Sequence, residues 1–183
     1  MPFVFKNLEI PGLVLAEGRK FGDDRGFFLE TYKQSEFRAG GIMEEFVQDN
    51  YSVSKKGTVR GLHFQLDPYA QGKLVQVISG RVWDVAVDIR KSSPTFGQWY
   101  GIELSGDDTK LFYIPAGFAH GFVALEDDTQ FMYKCTAEYN KESEGGIRYD
   151  DPDLAIAWPL KDGLLVSEKD AILPFFKEAK YFQ

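Results

Sequence analysis

The chain has 183 residues, 44% of them hydrophobic, and a net charge of −7. That apolar share excludes intrinsic disorder, and a chain of this length buries a core without covalent staples. The acidic balance argues against nucleic acid, whose binding rests on phosphate contacts, but leaves room for a small anionic ligand held by a few converging cations. The single cysteine, Cys135, has no partner for an internal disulfide, which fits a reducing cytoplasm. No apolar run reaches membrane-spanning length, and residues 1–20 carry Glu9, Pro11, Gly12 and Glu17 where a signal peptide needs an unbroken apolar stretch. Neither a membrane partner nor secretion is expected, and with no break in composition a single domain over residues 1–183 is.

The elements are mostly strands. In chain order they are expected at 26–31, 48–54, 73–79, 83–89, 100–104, 111–114, 120–125 and 130–137. In 83–89, Trp83, Val85, Val87 and Ile89 alternate with Asp84, Ala86 and Asp88, which reads as one apolar and one polar face. Turn signals separate the strands: Ser79-Gly80, Ser105-Gly106-Asp107-Asp108, Pro115-Ala116-Gly117 and Glu126-Asp127-Asp128. Two short helices are expected, at 34–39 and at 167–172, the second with Ser167 as its cap and Asp170 close to a capping-box position. The segment from Asp151 onward reads as a C-terminal stretch laid over the barrel. Many short, closely spaced strands predict an all-β fold, a double-sheet jelly roll (a cupin-like β-barrel) with a few short helices.

The chain has only two histidines, in Arg60-Gly61-Leu62-His63-Phe64-Gln65 and in Gly117-Phe118-Ala119-His120-Gly121-Phe122. Imidazole takes or gives a proton near neutral pH, so a histidine beside a carboxylate is a ready general base. His63 also reads as a packed strand histidine. Arg60 and His63 have opposite parity on a regular strand and reach one pocket only if Gly61 sits in a bulge. His120 shares a face with Phe118 and Phe122, and Tyr133 shares one with Phe131 and Cys135, so each is either a core residue or an inward donor to a ligand. Tyr139, at that strand's end, can stack on a planar base. Lys73 opens an apolar run and is a candidate to point inward, whereas Arg25, Arg60 and Lys169 taken singly read as surface cations. A transition metal is not expected, because the His-x-His of metal-binding jelly rolls is His63-Phe64-Gln65 here and no third histidine exists. Phosphate-loop and dinucleotide signatures are absent.

Taken together, these stretches resemble the dTDP-4-dehydrorhamnose 3,5-epimerase family, cofactor-free enzymes of the cupin class. Also matching are Asp24-Arg25-Gly26, Phe46-Val47-Gln48-Asp49-Asn50, Gln71-Gly72-Lys73-Leu74-Val75, Tyr133-Lys134-Cys135-Thr136 and Ser167-Glu168-Lys169-Asp170. The resemblance spans nearly the whole chain, in order; the one departure noted is Ala116, where relatives often carry an acidic residue. It implies a jelly-roll homodimer acting on a dTDP-linked 4-keto-6-deoxy sugar, with no metal and no redox cofactor. It further implies His63 as base, Asp170 as its orienting carboxylate, Tyr133 as acid on the opposite face and Lys73 as stabiliser of the enolate oxygen. Gln48, Asn50, Arg60 and His120 would line the sugar and diphosphate site, joined by Arg25, Glu30, Glu144 and Lys169, with Tyr139 on the thymine. Other readings are inversion of a single carbon, a 3,4-ketoisomerase, a metal-dependent cupin and a sugar-binding module.

Overall fold

The computed structural model describes residues 3–183. Its strands are β1 (Phe3–Asn7), β2 (Val14–Gly18), β3 (Lys20–Asp23), β4 (Gly26–Leu29), β5 (Gln48–Ser54), β6 (Thr58–Gln65), β7 (Lys73–Ser79), β8 (Arg81–Asp88), β9 (Trp99–Ser105), β10 (Lys110–Ile114), β11 (Phe118–Ala124), β12 (Thr129–Cys135), β13 (Glu144–Gly146) and β14 (Leu165–Val166). Two short helices, α1 (Gln34–Ala39) and α2 (Glu168–Ala171), and a 3₁₀ turn at Phe176–Glu178 complete the list. The expected helices are both present, and the expected strands agree to within a few residues at their ends. The sequence reading gives no range for β6, although it treats Arg60 to His63 as strand, and it does not place β1, β2, β3, β13 and β14. Leaving β6 aside, the unplaced strands have five residues or fewer, and β1 and β3 are largely exposed, so neither carries the apolar alternation that marks a half-buried strand.

The strands form two facing sheets in a jelly roll. One has the order β1-β2-β10-β7-β12-β5; the other has the order β13-β6-β11-β8-β9, with β14 parallel to β6. Strands β3 and β4 stand apart as a hairpin. Val75, Val77, Phe112, Ile114 and Phe131 from the first sheet meet Val82, Ala86, Leu104, Phe118 and Phe122 from the second to make the central core. Each sheet is also covered on its outer face. Phe37 of α1, with Phe3 and Ile42, packs on Leu74, Leu111 and Tyr113. The C-terminal segment covers the other sheet, as expected, with Leu154, Ile156, Trp158, Phe176 and Phe182 over Leu62, Val85, Val87 and Ile89.

This double covering corrects the reading of β8. Its alternation does not separate a dry face from a wet one, because Asp84 and Asp88 are both fully buried. Asp88 is neutralised by Arg90 at 2.7 Å and accepts hydroxyl hydrogen bonds from Ser93 and Thr95. Asp84 points into the space between the sheets and bonds to His120. Burying a carboxylate is costly unless it is paired, and both of these are. The Ser79-Gly80 signal holds: Gly80 has φ +78°, and a Cβ there would lie 2.5 Å from Thr129 Oγ1.

Phe112 is fully buried at the centre of the inter-sheet core. Phe112→Ala is expected to lower unfolding stability by about 3–5 kcal/mol, read as a lower urea midpoint at unchanged slope.

Candidate active site

His63 lies on β6 and Tyr133 on β12, in opposite sheets, and both line one cavity of about 460 Å³. Arg60, Lys73, His120, Lys169 and Asp170 share that wall, with Phe122 and Phe131 as its apolar part. A contiguous cavity of about 340 Å³ shares His63, Lys73, Tyr133 and Asn50 with the first and adds Gln48, Tyr139 and Glu144.

The local backbone of β6 explains how Arg60 and His63 reach the same space. His63 is paired with His120 of β11 and Arg60 with Phe122, so two residues of β6 face the single Gly121 and the register shifts. This is the bulge that parity required. Gly61 has φ +123°, and a Cβ on it would come within 2.5 Å of Gly121 Cα, so no larger residue fits. Arg60 is held by Ser54, whose Oγ accepts from its Nε at 3.1 Å.

The imidazole of His63 is anchored by a residue 107 positions away. Its Nε2 lies 2.7 Å from Asp170 Oδ1. Burial works to raise the Asp170 pKa, but the hydrogen bond and charge of His63 and the backbone N–H of Gly61 outweigh it and hold the carboxyl below the ordinary range. The group is therefore ionised and can only accept. Nε2–H of His63 is therefore the donor in this bond. Ser167 caps α2, its Oγ accepting from the Asp170 N–H at 3.1 Å. The carboxylate does not return to the cap, as a capping box would have it; it is spent on His63 and on the N–H of Gly61 at 3.3 Å.

Around this pair the remaining groups are tuned by burial. The Tyr133 pKa is raised, first by desolvation and then by Cys135, with Arg60 opposing. The phenol is thus protonated at neutral pH. Burial lowers the Lys73 pKa against the opposing charges of Cys135, Asp84 and Glu144. Desolvation likewise lowers that of His120, although Asp84 holds its Nε2 at 2.9 and 3.0 Å. At the outer end, Glu144 accepts from Lys169 Nζ at 2.6 Å and from the Tyr139 hydroxyl at 3.1 Å. Gln48 Oε1 accepts the Tyr139 N–H at 2.8 Å, and Tyr139 is 55% exposed.

Comparison with known proteins places this geometry. The family model described as dTDP-4-dehydrorhamnose 3,5-epimerase matches residues 7–178. An enzyme of that name from Shigella flexneri is 52% identical over 175 residues, covering 95% of this chain and 96% of its own. The Pseudomonas aeruginosa protein of that name is 52% identical over 176 residues, covering 96% and 97%. The chain belongs to the dTDP-4-dehydrorhamnose 3,5-epimerase family. A crystal structure of a 3,5-epimerase from Legionella pneumophila Philadelphia 1, in complex with dTDP-4-keto-L-rhamnose, superposes with a TM-score of 0.93 at 46% identity, covering 99% of each chain.

Of the residues that the family resemblance singles out, two are not brought to these cavities. Arg25 sits at the tip of the β3–β4 hairpin, its side chain 90% exposed and paired with Asp23, and Glu30 follows the same hairpin. Neither lines the cavities that hold the other eleven. Sequence reasoning missed Asp84, which it assigned to a polar face. The available signal was the company it keeps: Val82 and Ala86 share its parity, and an aspartate in an apolar row is rarely buried unless paired.

Asp170→Asn is expected to keep the fold and lower turnover by about 10²–10⁴-fold, because an amide no longer fixes the tautomer or stabilises the imidazolium. Steady-state kinetics beside an unchanged circular-dichroism spectrum is the check.

Proposed function

We propose that this chain inverts C3 and C5 of dTDP-4-dehydro-6-deoxy-glucose to give dTDP-4-dehydro-rhamnose. One observation carries the reading: a carboxylate-anchored imidazole and a neutral phenol stand on opposite walls of a single cavity, with a lysine between them. C3 and C5 flank the C4 ketone, so their protons are acidified. His63 takes a proton from one face of the sugar, and Asp170 stabilises the imidazolium that forms. The electrons move to the C4 oxygen. Lys73 sets its positive charge against that enolate, an effect worth about 2.7–4 kcal/mol for one donor in other active sites. Tyr133 then delivers a proton to the carbon from the far face, and the centre is inverted. All of these steps are proton transfers beside a ketone, and these side chains suffice for them.

Arg60 and Lys169 supply cations for the diphosphate, His120, Asn50 and Gln48 offer polar contacts to the sugar, and Tyr139 offers its open face to the thymine. The nucleotide does not react. Its binding energy holds the sugar where base and acid reach it.

The working form in this reading is a homodimer in the cytoplasm. The hairpin supports the first point: Phe27 and Phe28 are each 64% exposed and Phe21 is 47% exposed, on a two-stranded element hydrogen-bonded into neither main sheet. Such a hairpin is marginal in water without a packing partner. A second copy covering those rings would also receive Arg25 and Glu30 into its own cavity. For the second point, no helix among the described residues is long and apolar enough to cross a membrane, and the lone thiol suits a reducing compartment.

His63→Ala is expected to abolish solvent deuterium incorporation at both carbons; exchange surviving at either one refutes a shared base. Tyr133→Phe is expected to retain proton abstraction while losing inversion, and an unchanged rate and product ratio removes Tyr133 from the mechanism. Phe27→Asp combined with Phe28→Asp is expected to yield a monomer by sedimentation that turns over poorly; a fully active monomer refutes the shared site.

A further inference from the structure

An inversion by one base and one acid leaves both groups spent. His63 ends as an imidazolium holding the proton it removed, and Tyr133 ends as a tyrosinate. On the reading above, the same two groups act twice on one sugar. Between the two events a proton must pass from the imidazole wall to the phenol wall, or the half-converted sugar must leave and return.

Lys73 is placed for that transfer. It opens β7, its register partner on β12 is Cys135, and Tyr133 is two residues further along the same strand. Its Nζ lies 6.0 Å from the centre of the Tyr133 ring and donates to the His63 carbonyl oxygen at 3.5 Å. It lines both cavities together with His63 and Tyr133. We propose that Lys73 resets the site between the two inversions, its ammonium protonating the tyrosinate and the resulting amine taking up the proton held by His63.

The protons balance. Lys73 NH₃⁺ and Tyr133 O⁻ become Lys73 NH₂ and Tyr133 OH; the amine and the His63 imidazolium then become the ammonium and the neutral imidazole. The timing is consistent as well. The enolate needs the ammonium only until carbon is protonated, and the tyrosinate appears at that same moment. Burial favours the first transfer, since it weakens the hold of Lys73 on its proton and strengthens that of Tyr133. Asp84 on β8, Glu144 on β13 and the Cys135 thiol face the ammonium and keep it from losing its charge outright, while His63 and His120 are the other titratable groups around it.

The test is the share of product labelled at both carbons in D₂O at low conversion, read by NMR. The wild-type enzyme is expected to release doubly labelled sugar from the earliest time points. Lys73→Arg keeps a cation for the enolate, but a guanidinium does not give up its proton below about pH 12. The doubly labelled share is then expected to fall by about tenfold or more, with singly inverted sugar free in solution, because the reset waits on dissociation and rebinding. An unchanged share overturns the proposal. If the arginine variant incorporates no label, a wild-type series from about pH 6 to about pH 10 decides, since a lysine loses its proton as pH rises. The doubly labelled share is expected to fall as pH rises, and a flat share overturns the proposal. No label at either carbon in the wild-type enzyme sinks the epimerase reading itself, a result distinct from label at one carbon only.

Discussion

The hydrogen bond from His63 to Asp170 ties the side chains of two distant parts of the chain together, where β14 already pairs with β6. His63 belongs to an interior strand, Asp170 to a four-residue helix in the C-terminal segment. The bond orients the imidazole, and it also holds α2 against the cavity, which Ser167, Lys169 and Asp170 help to line. The same carboxylate receives the N–H of Gly61, so it secures the bulge as well as the ring. A single buried negative charge thus answers for strand geometry and for the orientation of the ring. Its own desolvation is offset by the donors it satisfies.

Around that bond, the jelly roll supplies what the chemistry requires of a scaffold. Two sheets put His63 and Tyr133, the proposed base and acid, on the walls of one cavity. Each sheet packs inward on the opposite sheet and is covered outward over part of its face, by α1 or by the C-terminal segment. Both histidines of this interior are held by carboxylates: His63 by Asp170 and His120 by Asp84. The buried charges of Lys73 and Asp84 face the same space, so each reduces the cost of burying the other. The exposed hairpin is the exception to this economy, and its phenylalanines mark where a second copy belongs in the proposed dimer.

Legibility differed from one element to the next. Strand β12 was plain from its period of two. The bulge at Gly61 was deducible from parity alone, because a glycine between two residues of opposite parity but common purpose leaves few other geometries. Strand β8 misled, since alternation distinguishes two faces but not what covers them. Asp170 offered two local readings, a cap or a partner for His63. Only the folded chain shows that its backbone takes the first role and its carboxylate the second.

By itself, the sequence determined the all-β class, the family and the set of chemically capable side chains, because strand periodicity, turn residues and ordered motifs are local properties written within a few residues of one another. The tertiary structure alone decided which of those side chains meet. His63 and Asp170 are 107 residues apart, Asp84 reaches His120 across a register that no local pattern encodes, and Arg25 is carried away from the cavity by a hairpin. Contacts of that kind depend on how strands are ordered and paired within a sheet. They are long-range, and they exist only once the core has closed around them.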